Sequence, residues 1–258
     1  MYYAEWRLYL TNDRLERERT FHNNRFSKGN REAQGKYYAA IKDGACLFEQ
    51  RLTQLARGSD ILEYGCGTDC MIHRVAGTYQ NAVGIDISEV AIACCKEKAS
   101  GSALRHTRFE VMNAERMDFD DSSFDVVFGR GILHHLDIDK SFHEIARVLR
   151  PNGKAVFWEP LGHNWAIEWY RKCTPHARTA DEHPLHKRDI EVAKRHFGTI
   201  DLQFFGLTTL LSCPFRDSSI GDCILKATSA LDRILFALPT MKWQAWYCLI
   251  ECSQPLTQ

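Results

Sequence analysis

Short apolar runs and longer amphipathic stretches take turns along the middle of the chain. Ile61-Leu62 after Asp60, Ala82-Val83-Gly84-Ile85, Arg108-Phe109-Glu110-Val111-Met112, Phe124-Asp125-Val126-Val127-Phe128-Gly129 and Lys154-Ala155-Val156-Phe157-Trp158-Glu159 each have the length and apolar content of a buried strand. Helical stretches lie between them. Ser88 can cap a helix over 89–98 with Val90, Ala93 and Cys94 turned inward, because a serine hydroxyl there accepts an orphan backbone N–H. A second helix, over 139–149, puts Phe142, Ile145, Ala146 and Leu149 on one face, and Pro151-Asn152-Gly153 then marks a turn. Strands joined by helices in this order predict an α/β fold, doubly wound, with a parallel sheet and right-handed crossovers.

The flanks follow different patterns. Residues 1–57 read as helical and charged: Glu16, Arg17, Glu18 and Arg19 precede Phe21-His22, and Phe26 follows. A further helix carries Ile41, Leu47, Phe48, Leu52 and Leu55 at helical spacing and stops at Gly58. This segment is either a cover packed on the sheet or a lid whose Tyr37 or Tyr38 closes over a ligand. Beyond Glu159 the period is lost. A helix is expected over 187–197, a long strand over 200–211, an amphipathic helix over 224–238 stopped by Pro239, and a closing strand over 243–252. The last two strands form a hairpin-like pair with an insertion between them. The expected organisation is a helical cover, 1–57, on a body, 58–258, with cap insertions at about 160–190 and 213–240.

Composition narrows the function classes. Lys plus Arg and Asp plus Glu are 33 each, so no net field draws the chain to nucleic acid or an anionic membrane. No apolar run nears the ~18 residues of a membrane span. The start, Met1-Tyr2-Tyr3-Ala4-Glu5-Trp6-Arg7, does not read as a secretory signal. The ten cysteines are scattered without a Cys-x-x-Cys pair, which reads as reduced core thiols in a soluble, cytoplasmic protein.

Chemistry collects at the strand ends. The stretch Asp60–Asp69 runs from a buried strand into a loop with Gly65 and Gly67, where a ligand can approach the backbone. Asp86 ends the next strand, and a carboxylate there can accept two hydrogen bonds from a ribose diol. Asn113 offers a donor and an acceptor to a purine edge, and Ile87 and Met112 can sandwich the ring. Asp86 could also be a mere helix-entry residue and Asn113 a loop turn, but their joint position at consecutive strand ends favours a nucleoside ligand.

With these residues in view the chain resembles the class I S-adenosylmethionine-dependent methyltransferases, in the small-molecule group related to the ubiquinone and menaquinone enzymes. The likeness rests on Leu62-Glu63-Tyr64-Gly65-Cys66-Gly67-Thr68 and Gly84-Ile85-Asp86-Ile87-Ser88. It continues through Asp120-Asp121-Ser122-Ser123-Phe124-Asp125-Val126-Val127, Leu133-His134-His135-Leu136 and Val148-Leu149-Arg150-Pro151-Asn152-Gly153-Lys154. Asp69 departs from it, standing where the family often has a third glycine. The resemblance implies a Rossmann-like seven-stranded sheet whose last strand, from 244–252, is antiparallel. It also implies that Glu63 and the backbone of Gly65, Cys66 and Gly67 hold the methionine part of S-adenosylmethionine. Asp86 would take the ribose, Asn113 with Ala114 the adenine, and the Gly129 carbonyl the amino group.

A sulfonium methyl is already activated, so alignment and exclusion of water are the main tasks, with a general base useful for a hydroxyl acceptor. His134 and His135, after the fourth strand, are the candidates, and the sequence does not choose between them. Glu159 and His163 are expected to line the acceptor cleft together with Tyr37 and Tyr38. His163, His176, Asp181, Glu182, His183 and His186 lack the spacing of known zinc sites, so no metal is expected there. The apolar side of the helix over 224–238 reads as core or lid, with a partner surface or a lipid-like substrate as the other option. A nicotinamide dehydrogenase would require glycine where Cys70 stands, and a non-catalytic cofactor-binding protein would not need both the loop glycines and Asp86. The expected activity is methyl transfer to a small-molecule hydroxyl in secondary or quinone-like metabolism. An amine or carbon acceptor is the alternative, and the oligomeric state is open.

Overall fold

The computed structural model describes residues 2–27, 35–100, 104–174, 179, 181–215 and 217–256. In chain order the elements are α1 (Tyr2–Ser27), α2 (Gly35–Tyr38), α3 (Lys42–Ala56), β1 (Asp60–Tyr64), β2 (Asn81–Asp86), α4 (Glu89–Ser100), β3 (Thr107–Val111) and β4 (Phe124–Arg130). They continue with α5 (Ile138–Val148), β5 (Leu149–Pro160), α6 (Trp165–Cys173), α7 (Lys187–Ala193), β6 (Phe197–Phe205), α8 (Gly221–Leu235) and β7 (Tyr247–Pro255). The seven strands form one sheet in the order β3-β2-β1-β4-β5-β7-β6. The pairs from β3 across to β5 are parallel, and β7 runs antiparallel to both β5 and β6. The expected doubly wound sheet with an antiparallel last strand is present.

The two-residue period of the strands divides the core between the faces. On β4 and β5, Val127, Ala155 and Phe157 join Phe142 of α5 and Ile190 of α7 in one cluster. Val126, Phe128, Val156 and Trp158 join Phe48 and Leu52 of α3 and Ile92 of α4 in the other. Fully burying a side chain such as Phe128, Phe142 or Phe157 contributes about 1.5–3 kcal/mol each, so both helical layers are held by apolar contact. Ser88 caps α4 as expected, accepting the Ala91 N–H at 3.1 Å. The inward face of α4 is Ala91, Ile92 and Cys95 in place of the expected Val90, Ala93 and Cys94.

Two local expectations fail for identifiable reasons. Pro151-Asn152-Gly153 is not a turn ahead of the fifth strand; β5 already begins at Leu149, and the irregularity is absorbed as a register shift against β4 between Phe124 and Val126. The strand expected over 200–211 begins at Phe197 and stops at Phe205. Gly206 takes a left-handed φ of 83°, and a 3₁₀ turn, Thr208–Phe215, follows. The buried Asp232 of α8 dictates that turn by accepting the N–H groups of Leu207 (3.0 Å) and Thr208 (2.6 Å) and both threonine hydroxyls. No helix among the described residues is long and apolar enough to cross a membrane.

Candidate active site

Between β1 and β4 the strand order reverses, and in open α/β sheets ligands settle outside the carboxyl ends of strands at such a point. A cavity opens there. The loop after β1 forms its floor, with Gly65 and Gly67 in left-handed φ of 72° and 53°. A Cβ on Gly65 would come within 2.5 Å of the Ile132 side chain, whereas above Gly67 the nearest atom is the Phe26 ring at 3.6 Å. The Cys66 N–H is committed to the Ile85 carbonyl at 2.9 Å; a contact with Cys95 lowers the Cys66 thiol, but burial together with the nearby Glu63 and Asp86 carboxylates pushes it up to about 11. Cys66 is therefore a protonated packing group.

Asp86 ties the first two loops together. One of its oxygens accepts the Gly67 N–H at 2.8 Å and the other the Ser88 N–H at 2.9 Å, while burial holds its carboxyl above the ordinary range. A carboxylate has about four lone-pair sites, so each oxygen keeps one for a further donor. Ile87, Met112, Asn113 and Ala114 continue the wall. Asn113 Oδ1 accepts the Glu115 N–H at 3.0 Å, and the Ala114 carbonyl accepts the Tyr64 hydroxyl at 2.6 Å. The cradle has glycine backbone that a ligand can approach, a carboxylate with spare acceptors and apolar side chains, a set that suits an amino-acid-bearing nucleoside. Glu63 also reaches the cavity, but its two oxygens already accept the Met71 and Ile72 N–H groups at 2.7 and 3.0 Å, and burial pushes it up to about 8.

The loop after β4 supplies the opposite wall through Arg130, Gly131, Ile132 and His135. Gly129 lies one step beneath, inside β4, where a Cβ would meet the Tyr64 carbonyl at 2.7 Å. Glu159, at the end of β5, is fully buried and acts on this loop from below. It accepts the Ile132 and Leu133 N–H groups at 2.8 and 3.0 Å and lies 2.8 Å from His134 Nδ1. His134 is thus turned onto Glu159, and His135 is the histidine of the pair that lines the cavity. Burial and the neighbouring His134 push His135 down to about 4, so it is neutral at physiological pH.

The N-terminal helix closes the cavity. Leu15, Glu18, His22 and Phe26 of α1 line it from above, a stripe at helical spacing on one face. Asn23 pairs with Ser88 and Glu89, and Arg17 grips Asp181 through two 3.0 Å bonds. Arg14 pairs with Glu115 and donates to the His135 carbonyl at 3.1 Å. Glu18 is 95% buried by subtraction from its 5% exposure; burial opposes its ionisation, but contacts from His135, His22 and Thr179 hold it well below the usual carboxylate range.

Other expected site residues lie elsewhere. Tyr38 stacks on Trp246 at 5.7 Å and Tyr37 packs on Tyr170 at 5.5 Å, because the following turn buries Ala40 and Ile41 in the core and leads the chain away from the cavity. His163 sits between His186 (4.7 Å) and Trp243 (5.4 Å). Glu182 pairs with Arg171 at 3.0 Å, and the His183 N–H donates to the His134 carbonyl at 2.8 Å; His176 lies outside the described residues.

Residues 62–157 match the family model described as a methyltransferase domain. YcgJ, a methyltransferase of Bacillus subtilis, is 28% identical over 115 residues, covering 44% of this chain and 42% of the relative. A demethylmenaquinone methyltransferase of Bacillus cereus is 30% identical over 113 residues, 42% of this chain and 48% of the relative. The phosphoethanolamine N-methyltransferase 2 of Haemonchus contortus, solved with phosphomonomethylethanolamine and S-adenosylhomocysteine, superposes with a TM-score of 0.59. It is 19% identical and covers 83% of this chain and 53% of that one. The chain spans about half or less of the length of the first curated relatives it matches. Residues 62–157 are thus a methyltransferase domain, carried on the fold that these S-adenosylmethionine-dependent methyltransferases share. The cofactor of this site is S-adenosylmethionine.

Proposed function

We propose that the protein transfers the methyl group of S-adenosylmethionine to a hydroxyl of a small molecule. The observation that carries the reading is Asp86, whose carboxylate joins the glycine loop to the second loop and keeps acceptor capacity for a ribose diol. In this reading the Gly65–Gly67 backbone and Glu63 hold the methionine part. Asn113 and Ala114 meet the adenine edge, and Ile87 and Met112 flank its ring. When bound, the cofactor supplies a methyl already activated by its positively charged sulfur. The residues of the chain then orient the acceptor in line with that methyl and keep water out.

The acceptor's reacting atom belongs beside Glu18, His22 and His135, the polar group that faces the cavity from across Asp86 and Met112. A hydroxyl acceptor must lose its proton, and this group offers an ionised carboxylate and neutral imidazole to assist. Glu159 acts through others: it fixes the backbone of residues 132–133 and holds His134, so His135 keeps its place. An amine acceptor is the second reading, and the same polar group favours it where the amine must shed a proton. The absence of net positive charge argues against a nucleic-acid acceptor.

Incubation with methyl-labelled S-adenosylmethionine and a panel of phenols, alcohols and amines tests this. Label transfer to a hydroxyl compound is expected. Transfer to amines alone would move the reading to N-methylation, and no transfer to any small molecule would overturn it.

A further inference from the structure

We propose that Glu18, His22 and His135 form a site for one divalent transition-metal ion, such as Zn²⁺ or Mn²⁺, in the wall of the cavity. Two imidazoles and one carboxylate with an open position are a common donor set for catalytic zinc and for other first-row ions. The three residues each present one ligand atom, all within 4.8 Å of one another. Glu18 Oε2 lies 3.3 Å from His22 Nε2 and 3.3 Å from His135 Nδ1. That is the separation expected between two ligands bound at about 2.0–2.1 Å with a tetrahedral angle at the metal.

The second observation is unmet polarity. Among the described residues both Glu18 oxygens and His135 Nδ1 are buried without a well-formed hydrogen bond, as is the hydroxyl of Thr179, which also faces Glu18. Buried polar atoms are nearly always satisfied, and a buried carboxylate left without partners is strongly disfavoured. Among the described residues no Lys or Arg pairs with Glu18, and the titratable groups beside it are the two imidazoles. Arg14, one turn away on α1, is committed to Glu115 and the His135 carbonyl. A neighbouring group, His134, His135 and Glu182, also has metal-binding residue types. Its members are already engaged, His134 with Glu159 at 2.8 Å and Glu182 with Arg171 at 3.0 Å, so the ion is assigned to the α1 side.

The role of the ion toward the acceptor rests on the proposed methyl transfer: a metal in the cavity wall binds an acceptor hydroxyl and lowers its pKa. The binding of the ion itself does not rest on it. Glu18 and His22 stand four apart on one helix, a spacing that brings both onto one face. His135 arrives from the loop after β4, more than a hundred positions later, so the site exists only when α1 is docked.

The test uses the full chain, freed of metal and titrated with Co²⁺, whose d–d absorption reports imidazole and carboxylate ligation, followed by competition with Zn²⁺. One equivalent is expected to bind. Glu18→Gln and His22→Gln should each weaken it at least about tenfold, the scale of loss seen even for outer-sphere changes at metal sites. His163→Gln, which alters a separate close imidazole pair with His186, should leave the affinity unchanged. S-adenosylhomocysteine calorimetry on each variant, done in parallel, reports folding and the cofactor site separately. No stoichiometric Co²⁺ binding by the wild type, or equal affinity in Glu18→Gln, would overturn the metal site. Retained cofactor binding in that case would leave the methyltransferase reading standing.

Discussion

The two walls of the cavity are built in opposite ways. On the cofactor side, Gly65, Gly67, Asp86, Met112 and Asn113 sit at the ends of three adjacent parallel strands, and register alone brings them together. On the acceptor side, Glu18 and His22 come from α1 and His135 from the loop after β4, and they meet only through tertiary docking. The first kind of site is rigid and local. The second depends on a helix held by a few polar contacts, Arg17 with Asp181, Arg14 with Glu115 and Asn23 with Ser88. The difference teaches that substrate choice can change in such a fold without touching the cofactor cradle.

Substitutions that strike one wall and spare the other can break this comparison. The largest expected effect is at Gly65. A Cβ there would combine a left-handed φ of 72° with a 2.5 Å approach to Ile132. Gly65→Ala should cost about 3 kcal/mol of stability and weaken cofactor binding, read by urea unfolding and calorimetry. Next comes Asp232→Ala, which leaves the N–H groups of Leu207 and Thr208 without their buried acceptor. Its expected cost is about 2–3 kcal/mol, with S-adenosylhomocysteine affinity unchanged. An equal loss of cofactor affinity would show that the cap and the cradle are coupled after all.

Glu159→Gln should cost about 1.5 kcal/mol or more, because charge-assisted bonds to Ile132, Leu133 and His134 become neutral ones. Turnover should fall more than cofactor affinity, since the loop it fixes belongs to the acceptor wall. The smallest effect concerns pH. Burial opposes ionisation of Glu144, but Arg147 and the Met117 N–H hold its carboxyl below the ordinary 4.5. A depressed carboxylate stabilises the fold above its ordinary pKa, and that contribution is lost as pH falls below about 4.5 through the folded value. Glu144→Gln should therefore flatten the acid limb of a stability–pH curve, and an unchanged limb would remove Glu144 from the account.

The contrast between the walls also explains what could be read in the sequence. β1 and β2 were legible because a parallel strand buried on both faces is a continuous apolar run, and Gly65, Gly67 and Asp86 follow directly from its end. The antiparallel β7 was legible from its own apolar pattern. The stretch after β6 was not. Thr208, Thr209, Leu210 and Leu211 have strand-like composition, yet Asp232, more than twenty positions later, takes the N–H groups and hydroxyls of the two threonines. Glu18 sits in a run of alternating charges, Glu16 to Arg19, within a cover whose ligand contact is expected at Tyr37 or Tyr38. The i, i+4, i+8 line of Glu18, His22 and Phe26 was the available signal, and only the docking of α1 against the loop at His135 gives it meaning.

The most direct measurement is a calorimetric titration of the wild type and Asp86→Ala with S-adenosylhomocysteine. The account predicts one site per chain in the wild type. It predicts a loss of about 3 kcal/mol, on the order of a hundredfold, in the variant, since two hydrogen bonds to a charged group disappear. Undiminished affinity in a folded Asp86→Ala protein would contradict it.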